Sequence, residues 1–123
     1  MLLDSNILIY GADGGNPSLD AILDRKDLAA ASVTRIETLG YHRLSQIQRV
    51  WLETTFERMR ILPLDDAVTA RAITLRQEQK MDLADAIIAA TALVHNMPLV
   101  TGNVEDFRHI TALRVVNPFS TAS

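Results

Sequence analysis

Apolar positions along the chain alternate between short runs and longer helical stripes. Four short runs read as strands: residues 1–4 (MLLD), 28–33 (LAAASV), 60–63 (RILP) and 97–101 (MPLVT). A fifth, LRVV at 113–116, follows late. Helical spacing fills the intervals. In PSLDAILDR, Pro17 stands near a helix start, with apolar residues at 19, 22 and 23. Residues 34–60 read as two helices broken near Ser45, the second carrying a stripe of Ile47, Val50, Trp51, Thr54 and Thr55. Residues 65–80 repeat the pattern through Val68, Ala72 and Leu75. The segment 82–96 contains LADAIIAATALVHN, which is almost wholly apolar apart from Asp85 in its first turn.

Strands alternating with helices predict an α/β fold, with right-handed crossovers and a mostly parallel sheet covered on both faces. Loops such as ADGGNP at 12–17 are short, and no repeat, linker or low-complexity tract interrupts the chain. The last residues, FSTAS, are expected to fray. In such sheets, sites form beyond the carboxyl ends of the strands, where the strand order reverses.

A length of 123 residues suits one domain spanning 1–123. Hydrophobic and charged fractions of 48% and 22% place it among soluble globular chains. The absence of cysteine excludes disulfides and thiolate metal sites, and fits a reducing cytoplasm. No run approaches the roughly 18 apolar residues that span a bilayer, and MLLDSNILIY lacks the features of a secretion signal. A formal charge of −3 argues weakly against a nucleic-acid surface. The bases nevertheless comprise ten Arg and only Lys26 and Lys80, and Arg is the better fork for phosphate.

Four acids fall where the fold predicts a site. Asp4 ends the first strand, Glu37 follows the second, Asp85 opens the helix before the fourth, and Asp106 follows the fourth. Each has a structural reading. Thr34 and Glu37 have the spacing of a capping box, Asp82 and Asn103 can cap the helices that carry Asp85 and Asp106, and Asp4 can cap a helix beginning at Ser5. For any one acid, that reading is at least as good as the functional one. Jointly it weakens. Ile88, Ala89 and Ala92 share the Asp85 face, no base adjoins it, and an enclosed carboxylate needs a partner. Several converging carboxylates need a cation, and oxygen donors suit Mg²⁺ or Mn²⁺. A metal held by acids on an open face commonly hydrolyses phosphodiesters.

The stretches MLLDSNILIY, SVTRIETLGY, LADAIIAATALVHN and LVTGNVEDF, in this order and across essentially the whole length, resemble the PIN-domain family. The likeness is to its small VapC-type toxin ribonucleases of prokaryotic toxin–antitoxin pairs. It implies a PIN-like three-layer sandwich with a parallel sheet of four or five strands. It implies an Mg²⁺- or Mn²⁺-dependent endoribonuclease acting on single-stranded or structured RNA. It also implies a homodimer, and a cognate antitoxin that wraps the toxin and blocks its acidic pocket. By position, Asp4, Glu37 and Asp85 fall on the family's first three metal-binding acids. The fourth position falls on Asn103 or Asp106; Asp106 is favoured as the acid, with Asn103 as a polar helper. Ser5 stands where threonine is commoner, and Gly102 where a basic residue is frequent.

Asn6 and Thr101 are candidates to hold the carboxylates or a metal-bound water through hydrogen bonds, or equally to serve turn and strand-end chemistry. Arg35 and Arg43 are candidates for phosphate contact or plain surface. His42, His95 and His109 show no ligand spacing and read as surface or structural, while Trp51 and Phe56 read as core or dimer contacts. Three alternatives remain at this stage: a receiver-like phospho-acceptor, an acid-pocket phosphotransferase, and a catalytically silent PIN fold acting as a binding module. Neither lysine follows a late strand as receivers require, and Asp4-Ser5-Asn6 lacks the second aspartate of the phosphotransferases.

Overall fold

A computed structural model describes residues 1–119. Its elements run β1 (Leu2–Leu3), α1 (Ser5–Asp13), α2 (Pro17–Leu23), β2 (Ala29–Ala31), α3 (Ser32–Leu39), α4 (Gln46–Glu57), β3 (Arg60–Leu62), α5 (Asp66–Glu78), α6 (Leu83–Val94), β4 (Leu99–Val100), α7 (Val104–Phe107) and β5 (Val115–Val116). The frayed end expected from FSTAS lies mostly in 120–123, outside the described residues. No described helix is long and apolar enough to cross a membrane.

All five strands pair in parallel, in the order β3-β2-β1-β4-β5. Leu2 sits opposite both Ala29 and Leu99, which makes β1 the central strand. The receiver-type order is 2-1-3-4-5, so the sheet excludes that alternative.

Side chains on successive strand residues enter two cores. Leu2, Ala29, Ala31, Leu62 and Leu99 face α5 and α6. Leu3, Ala30 and Val100 face Ile7 and Leu8 of α1, Leu19 of α2, and Leu52 and Phe56 of α4. Period-two alternation thus fills a helix layer on each side of the sheet. The apolar helix α6 is apolar because it is enclosed: Ala86, Ile88, Ala89, Ala90 and Ala92 are fully buried.

Strands are shorter than the apolar runs that predicted them, because helices begin directly at their ends. Asp4 leaves β1 to cap α1, its side chain accepting the Ser5 N–H. Ser32 and Val33, expected in the second strand, open α3 instead. Thr34 is therefore inside the helix, and the expected Thr34–Glu37 capping box does not form. Asp82 and Asn103 do occupy N-cap positions, but neither side chain makes a capping bond. The break near Ser45 is present, and Ser45 with Gln48 forms a full capping box for α4. The stripe expected on that helix is rotated. Leu52, Thr55 and Phe56 are buried, whereas Ile47 is 81% and Val50 51% exposed.

Candidate active site

The sheet order reverses between β1 and β4, and the carboxyl ends of these strands carry Asp4 and Thr101. Asp4 is only 4% exposed. Its Oδ1 accepts the Ser5 N–H at 2.8 Å, and its Oδ2 accepts the Thr101 hydroxyl at 2.7 Å. Thr101 Oγ1 in turn accepts the Asn103 N–H at 3.0 Å. One chain of hydrogen bonds therefore spans the point where a parallel α/β sheet opens its crevice.

A second chain reaches α3. Ser5 Oγ donates to Glu37 Oε1 at 2.6 Å and lies 3.2 Å from the fully buried Thr34 Oγ1. Because α3 starts early, Glu37 falls on its second turn, free of capping duty and turned to α1. The hydroxyl at position 5 thus links the helix capped by Asp4 to the one carrying Glu37.

Asp85 is half-buried in the first turn of α6, and Asp106 is exposed on α7. Together with Lys80, Asp82, Glu105 and His109 they line a cleft of about 300 Å³. Burial pushes the Asp85 carboxyl up to about 6, and the charges of Asp4, Asp106, Asp82 and Glu37 add to the rise. Burial likewise raises Asp4, against the lowering effect of its bonds from Thr101 and Ser5; Glu37 and Asp106 push it further up. Asp4, Glu37, Asp85 and Asp106 are thus close enough to feel one another. Among the described residues, none of them pairs with Arg or Lys; the ion pairs are those of Asp27 with Arg25 and the Met1 ammonium, and of Glu105 with Arg108. Asn6 Oδ1 is buried nearby in sequence, without a hydrogen-bond partner among the described residues.

These neighbouring carboxylates, one of them buried and none paired with Arg or Lys among the described residues, are hard oxygen donors. That chemistry fits Mg²⁺ or Mn²⁺. The present side-chain positions are looser than a coordination shell: among the described residues, no three Asp, Glu or His groups surround one point closely enough to hold an ion as they stand.

The family described as PIN domain matches residues 1–113, nearly the whole chain. The chain belongs to the PIN-domain family. Among curated proteins, the PIN-domain chain is 31% identical over 115 residues to Ribonuclease VapC10 of Mycobacterium tuberculosis, covering 87% of this chain and 85% of that one. Among solved structures it resembles a toxin–antitoxin complex from Klebsiella pneumoniae, with a TM-score of 0.80 and 33% identity over 97% of this chain and 98% of that chain. It also resembles FitAcB from Neisseria gonorrhoeae, with a TM-score of 0.78 and 27% identity over 96% and 97% of the two chains. The likeness to VapC-type toxin ribonucleases read from the four motifs therefore holds.

Other residues singled out in the sequence fall elsewhere. Arg35 lines a separate cleft with Leu39, Glu53 and Phe56, and Arg43 is exposed before α4. Trp51 and Phe56 pack into the core against α1, as the core reading expects. His42 is exposed. Two residues of this PIN-domain site escaped the sequence reading. Thr34 was assigned to a cap, and only the observed start of α3 turns it towards Ser5. His109 borders the acidic cleft, with a buried Nε2 that has no partner among the described residues. Its position three residues after Asp106, in the turn that follows α7, is the signal that was available.

Proposed function

We propose that this chain is a divalent-metal-dependent endoribonuclease and the toxin of a toxin–antitoxin pair. One observation carries the reading: the buried Asp4 at the sheet's switch point, paired with no Arg or Lys among the described residues and with the charges of Glu37, Asp85 and Asp106 around it. Relatives named as a ribonuclease and as toxin–antitoxin complexes support the substrate class and the partner.

In this reading Asp4, Glu37 and Asp85 hold the ion, with Asp106 as the fourth acid and Asn103 beside it. Bound there, a divalent ion supplies a Lewis acid for the phosphoryl oxygen and a lowered pKa for attacking water. The chain's own groups do the rest. Thr101 and the Ser5 N–H fix both oxygens of Asp4 in place, and the Ser5 hydroxyl orients Glu37. Asn6, next to Ser5 on the first turn of α1, keeps a buried amide oxygen without a partner among the described residues. Lys80 sets a positive charge at the cleft rim for the RNA backbone. Exposed Ile36, Tyr41, Ile47, Val50, Leu64, Ile73 and Leu83 leave apolar surface for the antitoxin and the second copy that this reading calls for. A cytoplasmic location belongs to the same reading.

Cleavage of single-stranded RNA with and without Mg²⁺ or Mn²⁺ is the test. Asp4→Asn is expected to fold and to lose several kcal/mol of transition-state stabilisation, a fall of about 100-fold or more in rate. Unchanged cleavage by Asp4→Asn and by Asp85→Asn defeats the assignment. A catalytically silent binding module is the second reading, favoured by the looseness of the acid cluster. Under that reading no metal restores cleavage to the wild type.

A further inference from the structure

Beside the acids lies a second cleft, of about 280 Å³, lined by Tyr10, Asn16, Gly102, Asn103 and Phe119. None of these residues carries a charge, in contrast to the acid-lined cleft next to it. Resting on the ribonuclease reading, we propose that this cleft holds one unpaired nucleobase of the RNA strand, next to the phosphate presented to the acids.

The lining has the chemistry of base recognition. Tyr10 and Phe119 pack edge to face, ring centroids 5.4 Å apart at 81°, and Tyr10 remains 45% exposed at the cleft. Exposed aromatic rings are the usual stacking surface for splayed bases, and amides read base edges. Both asparagines occupy helix N-cap positions, where this residue type ordinarily spends its side chain on the helix. Neither does so here: Asn16 before α2 and Asn103 before α7 make no side-chain capping bond. Two amide groups, each with donors and an acceptor, are therefore left for a ligand.

Local backbone chemistry assembles these parts from distant segments. Gly14 and Gly15 take φ values of 76° and 74°, which folds the chain back after α1 and brings Asn16 to the cleft beside Tyr10. Asn117 Oδ1 accepts the Phe119 N–H at 3.0 Å and sets the turn that delivers the ring. At Gly102 a Cβ would stand 3.1 Å from two Phe119 ring carbons, so the ring lies close against this loop and a side chain there would press on it. The departure from a basic residue at position 102 thus exchanges a charge for aromatic surface.

The cleft is tied to the chemistry by one residue. The Asn103 N–H donates to Thr101 Oγ1, and the Thr101 hydroxyl donates to Asp4 Oδ2. A base seated between Tyr10 and Asn103 therefore anchors the strand beside Asp4.

The test uses the full chain and short single-stranded RNAs carrying 2-aminopurine at successive positions, with each of the four natural bases varied around the cleavage site. In the wild type, fluorescence is quenched at one position adjoining the cut. Tyr10→Ala abolishes that quenching and raises KM about ten-fold, in line with loss of one stacked base, while kcat stays within about two-fold. Asn16→Ala, at a half-buried loop residue, keeps the fold and alters which base is preferred. Val94→Ala, at an exposed apolar residue at the end of α6 and outside the cleft lining, changes neither quenching nor KM. Circular dichroism melts establish that Tyr10→Ala is folded; should it be unfolded, Tyr10→Phe and Asn16→Ala carry the test through stacking and base preference. If the wild type cleaves RNA but these variants cleave every sequence with unchanged KM, the base site is wrong and the ribonuclease reading stands. If free nucleoside monophosphates compete as well as the RNAs, the cleft serves a free nucleotide and the proposal fails. A wild type that neither binds nor cleaves RNA overturns the ribonuclease reading and the base site with it.

Discussion

At Asp85, burial and four neighbouring carboxylates act in the same direction. Its folded-state pKa stands at about 6 against an ordinary aspartate value of 3.8, so between those values the folded chain holds a proton that the unfolded chain releases. Stability contributed by this group is present at about pH 4 and is lost as pH rises through about 6, levelling off above. Asp85→Asn is therefore expected to flatten the stability profile between these values. In chelator near pH 7.5 it should raise stability by about 1 kcal/mol, after discounting the shift for a group that is half in water. Thermal melts across pH check this, and a melting temperature that falls or stays put above pH 7 shows that the acids do not crowd Asp85. The sequence displayed an acid in an apolar helix and so exposed its anomaly. It did not display the Ser5 hydroxyl between Asp4 and Glu37, because that contact depends on α3 beginning three residues earlier than its capping pattern indicated.

Helix α4 separates what periodicity can and cannot specify. Spacing marked a helix after Ser45, and the Ser45–Gln48 box made its start legible. Spacing did not fix the rotation of the helix, because apolar residues occur on two adjacent stripes. Ile47 and Val50 lie on one; Leu52 and Phe56, which pack against α1 and the sheet, lie on the other. Only the neighbouring elements decide between them. Two substitutions express the difference. Ser45→Ala removes the half of the capping box in which its hydroxyl accepts the Gln48 N–H, leaving the backbone N–H at 45 to the Gln48 side chain, and should cost about 1 kcal/mol in urea unfolding. Ile47→Ala, at a residue 81% exposed, should fall within about 0.5 kcal/mol of the wild type. A loss of 2 kcal/mol or more at Ile47 would place that side chain in a contact the isolated chain does not have.

At the scale of the molecule, alternation of strands and helices made the parallel sheet legible, and with it the expectation of a site at carboxyl ends. The strand order was not legible, since it depends on where the long α5–α6 crossover returns. That return, on the far side of β1, sets Thr101 against Asp4. A binding ion should report on the arrangement. Divalent metal that binds only the folded chain stabilises it by about 2.7 kcal/mol at a hundred-fold excess over its dissociation constant. Melts with and without millimolar Mg²⁺ or Mn²⁺ should show an upward shift, smaller or absent in Asp85→Asn; no shift in the wild type counts against a shared site. The backbone around the two switch-point residues carries one more consequence. The Asp4 N–H donates to Val100 O at 2.9 Å and the Thr101 N–H to Val116 O at 3.0 Å, so both residues are stitched into the sheet, Asp4 onto β4 and Thr101 onto β5, rather than hung on a loop. Their amides belong among the slowest to exchange with heavy water. Heating should therefore leave no interval in which the protein is folded yet inert: catalysis and structure should disappear along one curve, and return together on cooling.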